Sequence, residues 1–147
     1  MKTEPDVFGI DDLEKRPNRT EHWDGIRNYQ VRNMLRDDMQ VGDLALMYHS
    51  SCKQPGVVGI MKITRGAYPD HSQFDPESKY YDPNSRLENP RWLMVDVSLD
   101  RRLKKLISLQ ELKVQPPLET MRILSRGNRL SITPVSAAQW QHILSLE

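Results

Sequence analysis

Cysteine is almost absent: Cys52 is the only one among 147 residues. One thiol excludes an internal disulfide and any cluster of cysteine metal ligands, and it suits an intracellular, reducing compartment, the cytoplasm if the source is bacterial. No run approaches the roughly 20 apolar residues of a membrane span, so no membrane partner is expected. Met1-Lys2-Thr3-Glu4-Pro5 lacks the apolar core of a signal peptide. A surplus of one charge is also missing. The 21 basic and 20 acidic side chains leave a net charge of +1, which argues against a protein that wraps nucleic acid by neutralising phosphates alone. The chain has no Gly-x-x-x-x-Gly-Lys-Ser/Thr, Gly-x-Gly-x-x-Gly, Gly-x-Ser-x-Gly or His-Glu-x-x-His. His22, His49, His71 and His142 are not spaced as metal ligands, so neither metal nor cofactor is expected. His49 stands beside Ser50, Ser51 and Cys52, but neighbours at a strand end point in different directions and make a poor nucleophile–base pair.

What is present is concentrated between Trp23 and Asn33. There a large aromatic precedes Gly25, and a helix then opens with Arg27, Asn28, Tyr29 and Arg32. Aromatic faces with guanidinium and amide groups nearby suit a flat polar heterocycle such as a nucleobase, which stacks on rings and is read at its edges. The basic residues fall into local groups: Arg27, Arg32 and Arg36; Arg101, Arg102, Lys104 and Lys105; Arg122, Arg126 and Arg129. A focused pocket with a modest basic rim fits this better than a basic face, and Arg101 to Lys105 reads as solvated surface.

The length suits a single domain, residues 1–147, able to bury about two-thirds of its unfolded surface. Gly9 to Arg16 predicts a short helix, with early acids and late bases matching the helix dipole. Asn28 can cap a second helix to about Asp37, with Tyr29, Met34 and Leu35 on its apolar side. Gly42 to Tyr48 and Gly56 to Thr64 read as strands joined by a turn-rich connection. From Ala67 to Pro90 the four prolines predict a long loop, with Phe74, Tyr80 and Tyr81 as candidate anchors. Arg91 to Leu99 reads as a strand, and Ser108-Leu109-Gln110-Glu111 as a capping box. Pro117 opens a short helix toward Leu124, and Leu130 to Val135 predicts a last strand. Ser136-Ala137-Ala138-Gln139 starts a helix that presents Trp140, Ile143 and Leu144 on one side. The sum is an α+β domain with a mainly antiparallel sheet of about five strands and short flanking helices.

Four segments together resemble one family. Lys2 to Phe8 is similar to the opening Lys-Ser-Glu-Pro-Asp-x-Phe/Tyr of EVE domains, and Trp23 to Asn33 to their Trp-Asp-Gly-Val-Arg-Asn-Tyr-Gln-Ala-Arg-Asn. Gly42 to Ser50 is similar to their Gly-Asp-x-x-x-x-Tyr-His-Ser, and Arg126 to Ser131 to their Arg-x-Asn-Arg-Leu-Ser. Asn89-Pro90-Arg91-Trp92 and the Tyr80-Tyr81-Asp82-Pro83 loop also fit. The resemblance runs in order along essentially the whole chain. It implies a PUA-like fold, a small curved β-barrel of five or six strands related to YTH and ASCH domains. It also implies binding of a modified base in DNA or RNA. The pocket that it implies draws on Thr3, Trp23, Asn28, Tyr48, Trp92 and Arg129, and the surrounding motif residues Arg27, His49, Ser50 and Asn128 join them as ligand-binding candidates. In this reading Trp23 supplies a stacking face, Tyr48 or Trp92 a second wall, Thr3 and Asn28 read polar edges, and Arg129 holds a phosphate or a carbonyl.

Two departures from the family pattern bear on the site. Family members usually carry a strand segment before the Lys-Ser-Glu-Pro motif, whereas this sequence starts at Met1, where that strand would end. Either the first strand is short or the natural start lies upstream. Thr3 replaces the more usual Ser, which keeps the hydroxyl and adds a methyl. The expected function is non-catalytic binding of the modified base. The alternative is an ASCH-like hydrolase acting on a modified nucleoside, with Lys2 and Glu4 at the pocket mouth as candidates for its base. Trp140 is expected in the core, and Trp23 with part of its ring toward the ligand.

Overall fold

The helix signals in the sequence are realised bond by bond in the computed structural model, which describes residues 1–147. Helix α1 spans Ile10–Lys15, and the Asp12 carboxylate accepts from the Gly9 amide at 2.8 Å. Helix α2 spans Tyr29–Asp37; Asn28 Oδ1 accepts from the Val31 amide at 3.1 Å, and Val31 and Leu35, four apart on one face, are buried. Helix α3 (Leu109–Lys113) starts at Ser108, whose hydroxyl accepts from the Glu111 amide. Helix α4 (Ala137–Ser145) has the reciprocal Ser136–Gln139 capping box. The Pro117 segment is two separate 3-10 turns, Pro116–Leu118 and Arg122–Leu124, divided by Met121, whose backbone is extended at φ −66 and ψ 127.

Five strands form one mixed sheet. They are β1 (Lys2–Thr3), β2 (Thr20–Trp23), β3 (Leu44–His49), β4 (Gly56–Pro69) and β5 (Leu93–Ser108), in the order β1-β3-β4-β5-β2. Strand β1 runs parallel to β3, and the other pairs are antiparallel. Strands β4 and β5 are longer than the sequence predicts. The charged run Arg101 to Lys105 is part of β5, with Leu103 and Ile107 turned inward. Its cations face out to acids: Arg101 pairs with Glu147, and Arg102 with Asp11 and Glu14. The β4–β5 ribbon shifts register at four places, and such bulges bend a sheet. The expected closed barrel does not form, since β1 and β2 remain the two edges of a curved, open sheet.

The predicted strand from Leu130 to Val135 is irregular. Leu130 and Ile132 are buried, while a single backbone bond, Lys2 N–H to Ser131 C=O at 2.8 Å, ties it beside β1. Hydrophobic burial without a ladder covers that sheet edge. The long loop is anchored by buried polar groups as well as by Tyr80, whose half-buried ring packs on Gly25 and Arg27. Asp70 and Gln73 are fully buried. Gln73 donates to the carbonyls of Asp70 and Trp92 and accepts from the Trp92 amide and the Ser85 hydroxyl. A segment with many backbone groups and few apolar side chains must satisfy those groups internally.

Two apolar cores flank the sheet. One joins Leu13, Val31, Leu35, Met61, Val95 and Trp23; the other joins Tyr48, Ile60, Ile107, Leu112, Leu118 and Ile143, with Trp140 packed at its margin.

Candidate functional site

The curvature of the sheet brings its two edge strands to one cavity. Lys2 and Thr3 of β1 line it together with Glu21, His22 and Trp23 of β2. The cavity holds about 640 Å³, within the range of ligand sites. Its aromatic lining is Phe8, Trp23 and Tyr80, and its polar lining includes Arg16, Asp24, Ser50, Lys79, Arg129 and Ser131.

Each wall has a local cause. Ser50 donates its amide to the Thr3 carbonyl at 2.9 Å, extending the β1–β3 pairing to the cavity. The Thr3 hydroxyl donates to the Phe8 carbonyl at 2.6 Å. Its one proton is thereby committed, and what Thr3 Oγ offers a ligand is an acceptor. Trp23 ends β2, is only 8% exposed, and meets Phe8 edge-on at 6.5 Å between centroids. Gly25 follows with φ +82, a left-handed conformation that favours glycine. A Cβ there would stand 2.5 Å from Tyr80 Cζ, so the missing side chain lets the Tyr80 ring lie on the turn.

Asp70 holds that turn from below. Its carboxylate accepts from the Gly25 amide at 2.8 Å, from the Ser72 amide and hydroxyl, and from Arg27 at 3.1 Å. Burial pushes its pKa up, but these hydrogen bonds outweigh burial and hold it below the usual carboxylate range. Arg27 also donates to the Tyr80 carbonyl at 2.7 and 3.0 Å. The Tyr80 wall is thus fixed from both sides.

At the rim Arg16 pairs with Glu21 at 2.7 Å, and Glu21 also accepts from the His22 amide. Burial raises the Glu21 pKa, yet these bonds leave it lowered overall, so it stands as an ionised acceptor. Lys2, Lys79 and Arg129 line the cavity without an ion pair. The site combines aromatic faces, fixed acceptors and free cations. It has no group of histidine, cysteine or acidic side chains arranged to hold a metal.

Four of the ten residues expected from the sequence line this cavity: Thr3, Trp23, Ser50 and Arg129. The other six are engaged elsewhere. Arg27 lies behind the wall in the Asp70 clamp. Asn28 caps α2. Tyr48 is buried in the second core and lines a separate apolar cavity of about 320 Å³. His49 Nε2 accepts from the Ile10 amide at 3.1 Å, at the start of α1. Trp92 is buried and donates its indole N–H to Asp82 at 2.8 Å. Asn128 shapes the turn to Leu130. Lys2 and Glu4 do lie on the lining, as the hydrolase alternative expects. Phe8, Arg16, Glu21, His22 and Tyr80 also line the cavity and are not among those ten. Phe8 and Tyr80 sit in the segments that carry the resemblance, whereas Glu21 and His22 of β2 give no signal in one sequence, because only the curl of the sheet brings them near Thr3.

These features define a small α+β domain with one polar, aromatic-lined cavity between the edges of its sheet. The EVE domain model matches residues 1–146. Thymocyte nuclear protein 1 of Danio rerio is 46% identical over 164 residues, spanning all of this chain and 70% of that protein; the Homo sapiens protein is 44% identical, with 72% of it spanned. Among solved structures, human THYN1 protein in complex with 5-methylcytosine-containing DNA superposes with a TM-score of 0.94 at 45% identity, covering 99% of this chain and 94% of that one. A Pseudomonas syringae protein superposes with a TM-score of 0.93 at 44% identity, covering 99% and 96%. The chain belongs to the EVE domain family. No helix is long and apolar enough to cross a membrane.

Proposed function

We propose that this chain binds a modified nucleobase in DNA, without catalysis, in the cavity between β1 and β2. One observation carries the reading: aromatic rings, fixed acceptors and unpaired cations line a single cavity of about 640 Å³. A base turned out of its helix loses a few kcal/mol of stacking. Contact with an aromatic ring returns about 1–3 kcal/mol, so the balance depends on polar contacts to the base. Thr3 Oγ, Glu21 and Asp24 favour a base with an exocyclic amine, as cytosine has. Arg129 at the rim suits the phosphate beside it. The complex of human THYN1 protein with 5-methylcytosine-containing DNA supports the same choice.

Titration of matched oligonucleotides carrying cytosine, 5-methylcytosine or thymine, as DNA and as RNA, tests the reading. Tighter binding of the modified DNA is expected; equal, weak binding of every strand sinks it. The hydrolase alternative rests on Lys2 and Glu4 at the lining. Mass detection of a product from modified nucleosides, lost in Lys2→Ala or Glu4→Gln, would put an enzyme in place of a reader.

A further inference from the structure

A column of aromatic and cationic side chains leads from the cavity wall to the surface. Tyr80 lines the cavity. Behind it the Arg27 guanidinium carbon lies 5.4 Å from the Tyr80 centroid and 5.5 Å from that of Trp92. Trp92 packs on Tyr29 with centroids 4.8 Å apart and planes 31° apart. Arg32 lies over Tyr29, its guanidinium carbon 4.8 Å from the ring centre.

The inner members are locked. Arg27 is bound to Asp70, Ser72 and the Tyr80 carbonyl, and Trp92 to Asp82 and Gln73. The outer end differs. Tyr29 opens α2 yet is 51% exposed. The Arg32 Nε and Nη2 groups donate to Asn33 Oδ1, and Nη1 donates to the Arg91 carbonyl. All of these acceptors are neutral. Arg16, Arg27, Arg36, Arg101 and Arg102 each meet a carboxylate, and Arg32 meets none. The surface end of the column is therefore a flat cation whose edges are pinned by neutral acceptors, with no carboxylate in contact, resting on an exposed ring.

We propose that Tyr29 and Arg32 form a second nucleic-acid subsite, a platform on which a base flanking the one in the cavity stacks. The proposal rests on the nucleobase reading of the cavity and adds a contact outside it. Nucleobases stack on guanidinium planes as well as on aromatic rings, and the adjoining phosphate is drawn to the free charge. Continuity with the cavity through Tyr80, Arg27 and Trp92 joins the two subsites through one rigid stack.

The test uses fluorescence anisotropy with a short single-stranded DNA carrying one 5-methylcytosine, and with the same strand bearing abasic sites on both sides of it. Tyr29→Ala is expected to weaken binding of the intact strand by about 5- to 100-fold and to leave binding of the abasic-flanked strand nearly unchanged. Arg32→Lys, which keeps the charge without the plane, is expected to weaken binding as Arg32→Gln does. Thermal melts of the exposed-site variants close to wild type establish that they are folded. If Tyr29→Ala weakens both strands equally or neither, or if Arg32→Lys binds as wild type does, the platform is overturned while the cavity reading stands. If wild type does not prefer 5-methylcytosine to cytosine, the cavity reading fails and takes the platform with it.

Discussion

Trp23 and Trp140 stand at two cavities of opposite chemistry. Around the first, between β1 and β2, are Arg16, Glu21, Asp24, Lys79 and Arg129; around the second, below α4, are Met1, Leu46, Met121, Ile123 and Ile132. The sequence predicts Trp140 in the core and Trp23 partly open. The structure reverses the burial: Trp23 is 8% exposed within the first core, while Trp140 is half-buried at the margin of the second. A tryptophan beside a ligand site can be the better buried one when only one part of its ring meets the cavity. What distinguishes the two regions is the supply of fixed acceptors and unpaired cations, and on that measure only the Trp23 cavity suits a polar heterocycle.

The largest expected effect inverts the stability order that the sequence suggests. Trp23→Ala should cost about 3–5 kcal/mol, as for a core aromatic, and Trp140→Ala about 1–3 kcal/mol because part of its ring already meets water. Urea unfolding of the two variants decides; a larger loss for Trp140→Ala would return Trp23 to the surface. Binding at this wall is better probed by Trp23→Phe, which keeps most of the volume.

Asp70→Asn sharpens the comparison from beneath. It retains the shape but removes the charge that Arg27 and two amides share, for about 1–3 kcal/mol. Because the Gly25 turn and Tyr80 hang from Asp70, binding of a 5-methylcytosine strand should fall as well. No point variant at the apolar cavity should change that binding. A change in Trp140→Ala as large as in Asp70→Asn would mean that the cavities are coupled.

Gly25→Ala acts on the wall alone. It forces a Cβ into the Tyr80 ring at a left-handed φ, at about 1–3 kcal/mol of strain. Tyr80→Ala in the same background should relieve the collision and restore part of the melting temperature. Failure to recover any would show that the backbone alone carries the strain.

The helices were legible because each is set by local chemistry: Asn28, Ser108 and Ser136 all bond where a cap should. The strand expected from Leu130 does not form: burial of Leu130 and Ile132 gives the same pattern with or without a ladder. The site was half legible for a related reason. The motif around Trp23 marks a place in the chain, but whether Asn28 reads a ligand or caps a helix depends on where its amide points. Arg27, Trp92 and His49 likewise turn to Asp70, Asp82 and the Ile10 amide. The approach of the two sheet edges, which makes the cavity, follows from bulges in β4 and β5 that no local pattern announces.

The smallest expected effect separates His49 from the cavity whose motif it shares. Its Nε2 accepts from the Ile10 amide at the positive end of α1, which requires the neutral ring. Burial lowers its pKa; Asp11 and Asp12 oppose the shift and Arg102 adds to it. A histidine whose folded pKa is depressed contributes stability that is complete above its unfolded value, near 6.5. That contribution is lost as pH falls from there toward the folded value, because the unfolded chain takes up the proton first. Between pH 7.5 and pH 5.5 the melting temperature of His49→Gln, which can still accept from an amide, should therefore drop less than that of wild type. Binding of the 5-methylcytosine strand by His49→Gln at pH 7.5 should equal that of wild type, since His49 does not line the cavity. A variant that melts with the wild-type pH profile and binds more weakly would place His49 at the ligand rather than at the helix.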